Sequence, residues 1–172
     1  MSVVIKSLAE HVYDGFHTRE EVGGDDLHIL LPQINSLLKE LKKLSGSPDS
    51  SPAPELIASD VYNVILQEGS FVAAAIDEAD PENPRLVGMA SIFVYSKFMR
   101  RTGLIDDVVV DEAHQRRGLA SKLTEELIEY ARKSGVAVIE LTSNPKRVGA
   151  RALYLKLGFV KKETDTFQLK LS

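Results

Sequence analysis

Residues 102–142 change their hydrophobic period twice, and that change narrows the fold more than any other stretch of the chain. Residues 102–110 form an apolar, β-branched run that carries two adjacent carboxylates, Asp106 and Asp107. A polar turn follows, and a helix begins near Gln115, with Leu119, Leu123, Leu127 and Tyr130 or Ala131 on one face. Lys122, Glu125, Glu126, Glu129 and Lys133 fall outside that face, and Gly135 supplies a C-terminal cap. Residues 136–142 are again almost continuously apolar, which is how a parallel strand buried on both faces reads. Strand, helix and strand over this distance predict a right-handed crossover.

The flanking segments fit around that unit. Residues 3–8 read as a strand, and the stretch through Gly23 and Gly24 has no clear period. From Asp25 onward Leu27, Leu30, Leu31, Ile34, Leu37, Leu38, Leu41 and Leu44 recur at helical spacing, with Pro32 expected in the first turn, where its missing N–H is tolerated. Residues 45–54 are small or helix-breaking and predict a mobile loop, followed by a shorter helix over 55–67. Residues 70–77 and 85–95 predict an antiparallel hairpin. Ala150, Leu153, Tyr154 and Leu157 share one face of a last helix capped by Gly158, and residues 159–162 and 164–169 read as closing strands. There is no internal repeat, and the order of elements predicts one α/β domain over residues 1–172, a mixed central sheet flanked by helices.

Composition removes several classes of function. The chain has no cysteine, so disulfides, thiolate metal sites and cysteine nucleophiles are excluded. Its four histidines, His11, His17, His28 and His114, lack metal-ligand spacing, and no metal site is expected. A formal net charge of −4 argues against a nucleic-acid-binding protein, which needs a positive field. No apolar run approaches a membrane span and the first residues do not read as a signal peptide, so the expected location is the cytoplasm, without a membrane partner.

Within this acidic chain the turn at Gln115 gathers features that suit an anion. A helix N-terminus offers unpaired N–H groups and the positive end of its dipole. Gly118 removes a side chain at the point of approach, Ala120 keeps the next turn slim, and Arg116 and Arg117 add charge. The pattern is neither a Walker P-loop nor a Gly-x-Gly-x-x-Gly fingerprint.

Gln115-Arg116-Arg117-Gly118-Leu119-Ala120 resembles the Gln/Arg-x-x-Gly-x-Gly/Ala acetyl-CoA signature of the GNAT superfamily of N-acetyltransferases. The preceding Val108-Val109-Val110 strand, the helix and strand that follow, and the segment Tyr154-Leu155-Lys156-Leu157-Gly158-Phe159 extend the resemblance over residues 70–169. Asp106-Asp107-Val108-Val109-Val110 is also similar, over a short span, to the glucosamine-6-phosphate N-acetyltransferase branch.

The resemblance implies direct transfer of an acetyl group from acetyl-CoA, a co-substrate, to the amine of a small molecule in a ternary complex. It places the pyrophosphate on the backbone of Gln115, Arg116, Arg117, Gly118, Leu119, Ala120 and Ser121, and the pantetheine arm along Val108, Val109 and Val110 as an added strand. It gives Tyr154, which spacing alone reads as a core aromatic, the role of protonating the departing thiolate. Asp106 and Asp107 are candidates for base or amine anchor, and strand alternation lets at most one face the acceptor. Two carboxylates in an apolar strand are expensive to bury without partners, which is itself a reason to expect use. Many members carry an asparagine six residues before the tyrosine; here that position is Val148, and the nearest asparagine, Asn144, lies in a longer loop. Arg147 and Arg151 can meet CoA phosphates, meet an acidic substrate or stay solvated.

Two other readings remain open at this level, acetylation of a protein N-terminus or lysine, and an acetyl-CoA-binding sensor without turnover. The resemblance also allows a homodimer.

Overall fold

The computed structural model describes residues 3–13, 25–45, 52–169 and 171. Strands β1 (Val3–Ser7), β2 (Ser70–Asp77), β3 (Arg85–Ser96), β4 (Arg101–Val110) and β5 (Val138–Leu141) form one mixed sheet in sequence order. The first three pairings are antiparallel and β4 pairs with β5 in parallel, as the crossover requires.

Period-two alternation divides the sheet between two cores. Val72, Ala74, Ile76, Met89 and Val109 face helices α1 (Leu8–Tyr13), α2 (Asp25–Ser45) and α3 (Ala58–Ile65), meeting Leu27, Ile34, Val61 and Ile65. Ala73, Ala75, Val87, Ile92, Val108 and Val110 face α4 (Leu119–Lys133), meeting Leu119, Leu123, Leu127 and Ala131. Gly88 lets α4 come close: a Cβ there would stand 3.1 Å from Val109 O and 3.3 Å from Leu123 Cδ1. Helix α5 (Val148–Lys156) follows β5.

Two features open the sheet at its middle. The β3–β4 register runs from Ser91↔Asp106 to Met89↔Val109, so Asp107 and Val108 oppose Ala90 alone. This is a bulge, and Asp107 sits in it with φ of 51°, in the left-handed region. The β4–β5 ladder ends at Ile105↔Leu141, one residue before Asp106. Beyond that point no strand among the described residues lies beside β4 on the β5 side.

Several expectations are corrected. Pro32 is an interior residue of α2, eight positions in rather than in the first turn, and the helix continues past the missing N–H because its apolar face remains packed. The helix expected near Gln115 starts at Leu119, after a short 3-10 turn over Glu112–His114, because Arg116 and Gly118 take positive φ. Strand β5 is half-buried rather than enclosed, since it forms the edge of the sheet.

The expected closing strands over 159–169 are not formed. Their alternation is that of a strand, but a strand needs a partner and a surface to cover. Here a hollow of about 430 Å3, lined by Ile139, Leu141, Val160 and Thr164, separates the segment from β5. Val160, Phe167, Leu169 and Leu171 are left exposed. Most of the expected 45–54 loop lies outside the described residues.

Candidate functional site

Where β4 leaves β5, a groove of about 550 Å3 opens between β4, the turn before α4 and the start of α5. Val108, Val110, Gln115, Gly118, Ala120 and Tyr154 line it. The sequence therefore brings together the residues expected to hold pantetheine and pyrophosphate with the expected acid.

Backbone direction decides which parts of β4 the groove can use. Asp111 N–H bonds Val87 O on the β3 side, so alternation turns Val110 and Val108 toward the groove. Their carbonyls do accept bonds there, Val110 O from Gln115 Nε2 at 3.0 Å and Val108 O from Arg147 Nη2 at 3.2 Å. Val109 pairs with Met89 of β3, which leaves Val108 and Val110 on the edge that has no strand partner among the described residues.

The turn is held from three directions. Asp111 Oδ1 accepts the Ala113 N–H and lies 2.8 Å from His114 Nδ1, while His114 Nε2 lies 3.3 Å from Asp77 Oδ2 at the end of β2. Gln115 Nε2 also donates to Glu40 Oε1 of α2 at 3.0 Å. Its side chain thus braces the turn, and what it presents to the groove is backbone.

Arg116 and Gly118, with φ of 60° and 79°, bracket a sharp turn of the kind that converges successive N–H groups on an anion. The first N–H groups of α4, from Leu119, Ala120 and Ser121, have no acceptor inside the helix. A Cβ at Gly118 would meet no atom within 4 Å, so the cradle is open on its approach side. With exposed Arg116 and Arg117 beside it, the turn fits a pyrophosphate in charge and shape.

The bulge separates the two aspartates in environment rather than by simple alternation. Asp106 is exposed, and its Oδ1 accepts the Asp107 N–H at 3.0 Å. Asp107 is half-buried, and burial, reinforced by the Asp106 charge, raises its carboxyl above the ordinary value, with the Ser91 hydroxyl 3.4 Å from Oδ2 opposing. Tyr154 is buried at 6% exposure, its ring edge-on to Phe159 with centroids 5.8 Å apart. Burial holds its hydroxyl above the usual tyrosine value, the Arg147 cation opposes this, and Asp106 adds to it. Tyr154 lines the groove, whereas neither Asp106 nor Asp107 is among the residues that line it; the Asp107 carboxyl turns toward Ser91 of β3.

Sequence reasoning passed over Glu40, Asp77 and Ser91, whose partners are distant in the chain, and read His114 only as a scattered histidine. Asn144 serves the loop: its Oδ1 accepts the Lys146 N–H and its carbonyl the Arg147 N–H, each at 2.9 Å. Among the described residues no cluster of His, Asp and Glu suits a metal ion, and no helix is long and apolar enough to cross a membrane.

Residues 34–159 match the family model described as Acetyltransferase (GNAT) family. A protein of Oryza sativa subsp. japonica, named probable glucosamine 6-phosphate N-acetyltransferase 2, is 35% identical over 71% of this chain and 72% of its own length. The glucosamine 6-phosphate N-acetyltransferase of Trypanosoma brucei brucei is 38% identical over 78% of this chain and 89% of its own. In fold, the crystal structure of glucosamine-6-phosphate N-acetyltransferase from Arabidopsis thaliana superposes with a TM-score of 0.68 at 17% identity, covering 98% of this chain and 99% of that one.

Proposed function

This chain belongs to the acetyltransferase (GNAT) family and is an acyltransferase enzyme, and from that premise we propose that it moves the acetyl group of acetyl-CoA to the amine of a hexosamine phosphate such as glucosamine 6-phosphate. The observation that carries the reading is the groove itself, which sets an unpaired strand edge and an anion turn beside a buried tyrosine. The two relatives named for glucosamine 6-phosphate support the choice of acceptor.

The residues divide the work as follows. The turn from Gln115 to Ser121 holds the pyrophosphate, and the Val108 and Val110 edge aligns the pantetheine amides as an added strand. Acetyl-CoA supplies the activated acyl group. Asp107 takes a proton from the acceptor ammonium, which frees the nitrogen lone pair to attack, while exposed Asp106 anchors the amine. The Val108 N–H donates to the thioester oxygen as negative charge develops there. As the carbon–sulfur bond breaks, Tyr154 gives its proton to the sulfur and recovers one from the newly formed amide nitrogen through solvent.

The reading extends to self-association. Phe167, Leu169 and Leu171 alternate along the exposed C-terminal segment while β5 is the edge of the sheet, so a second copy offers each a partner. Light scattering across a concentration series is expected to give a dimer; a monomer throughout sinks that part.

Thiol release from acetyl-CoA, measured with glucosamine 6-phosphate, glucosamine and peptide amines in parallel, tests the main reading. Turnover with the sugar phosphate well above the others is expected. Preference for peptides moves the enzyme to protein acetylation, and stabilisation by acetyl-CoA without thiol release from any amine makes it a sensor.

A further inference from the structure

We propose that Arg147 is a latch on the pantetheine edge: its side chain crosses from the α5 wall of the groove to the β4 wall, holds a carbonyl that acetyl-CoA must use, and so sets cofactor affinity. This rests on the reading of the groove as an acetyl-CoA site.

Two observations and the spacing of paired strands carry it. Of the two β4 carbonyls that face the groove, Val108 O is occupied by Arg147 Nη2 at 3.2 Å. A strand added beside β4 runs about 4.8 Å from it, so a guanidinium within hydrogen-bond reach of Val108 O stands in the lane the pantetheine arm would follow. The backbone of Arg147 is fixed, with its N–H on Asn144 O at 2.9 Å and its carbonyl accepting from Arg151 N–H at 3.0 Å. Only the side chain is free to swing.

The exchange is unequal. Arg147 is a charged donor, and charged donors form the stronger bonds; the pantetheine amide that replaces it is neutral. Acetyl-CoA therefore binds the fraction of molecules whose Arg147 has swung clear, and its apparent affinity is reduced by that fraction. The second groove carbonyl, Val110 O, is covered by Gln115, whose bond to Glu40 ties it to α2; Arg147 has no such second tether among the bonds of the groove.

Arg147→Met, which keeps an unbranched apolar stem and removes the donor, tests the latch by calorimetric titration. Acetyl-CoA and free CoA are expected to bind about tenfold tighter than to the unaltered chain. Adenosine 3′-phosphate 5′-diphosphate, which has the pyrophosphate but no pantetheine, should bind unchanged. Unchanged or weaker binding of the two pantetheine ligands overturns the proposal, as does equal tightening of the diphosphate. Arg147→Lys keeps the charge but shortens the reach to Val108 O, and should tighten binding too; tightening by Met and not by Lys assigns the effect to charge and overturns the latch. If the unaltered chain fails to bind acetyl-CoA, the functional reading falls first, a result distinct from binding that ignores Arg147.

Discussion

Gln115 Nε2 lies 3.0 Å from Glu40 Oε1 and 3.0 Å from Val110 O, so one amide fastens α2, the end of β4 and the anion turn to each other. The first residue of the signature stretch spends its side chain on position, and the turn keeps its backbone for the ligand. Helix α2, which packs on one face of the sheet, is thereby coupled to the anion turn.

Breaking that tie should be felt in binding before stability. Glu40→Ala is expected to cost about 1 kcal/mol of folding stability. It should also raise the KM for acetyl-CoA several-fold while kcat changes little, in a steady-state comparison at saturating amine. A change confined to kcat would show that Glu40 does not act through the turn.

Asp107 predicts opposite effects on stability and turnover. Its native carboxyl holds a proton more tightly than an ordinary aspartate, 3.8, so in the window above that value the native chain carries more protons than the unfolded one. Stability from this group is therefore lost as pH rises through that window. Asp107→Asn should melt higher than the parent near neutral pH, with the difference closing below pH 3.8. Turnover should fall about 10²-fold or more, and the acidic limb of kcat/KM, displaced upward from the ordinary carboxylate range, should disappear.

Tyr154 keeps its proton across neutral pH because burial raises it above 10.0. Tyr154→Phe is expected to lower kcat about 10²-fold with acetyl-CoA affinity nearly unchanged. The same variant should lose the alkaline limb of the kcat profile. Equal losses in kcat and affinity would make Tyr154 a packing residue.

Gly118→Ala isolates the cradle. Its φ of 79° costs an alanine about 1 kcal/mol, while no atom within 4 Å would meet the new methyl. The melting temperature should drop by a few degrees, and acetyl-CoA affinity should drop further than that strain explains, because the methyl stands on the approach side of the turn. Calorimetric titration beside a thermal melt separates the two.

Much of the scaffold was legible because it is written in local periods. The apolar, β-branched runs 70–77 and 85–95, the helical spacing of Leu119, Leu123 and Leu127, and the glycines at Gly118 and Gly135 each act within a few residues. What was not legible depends on distant pairing. Asp107 reads as a regular strand residue until β3 imposes the bulge, and Gln115 reads as a ligand contact until Glu40, 75 positions away, takes its amide. Arg147 looks like a solvated loop charge until the end of the β4–β5 ladder leaves Val108 O facing it. The C-terminal segment carries a strand's pattern without a strand's partner, which no local rule reveals.

The β4–β5 ladder is four residue pairs long, from Thr102↔Val138 to Ile105↔Leu141. Beyond this short seam the segment after β5 is held by the Arg147 bond to Val108 O and by Phe159 packed on the α4-side core, and β5 lies half-buried at the margin. Amide exchange should accordingly be faster in β5 and α5 than in the β2–β3–β4 centre, marking the last fifth of the chain as its own unit of local unfolding. A ligand that grips both lips of the seam rivets it, so the lifetime of this enzyme against proteolysis tracks how often its groove is filled.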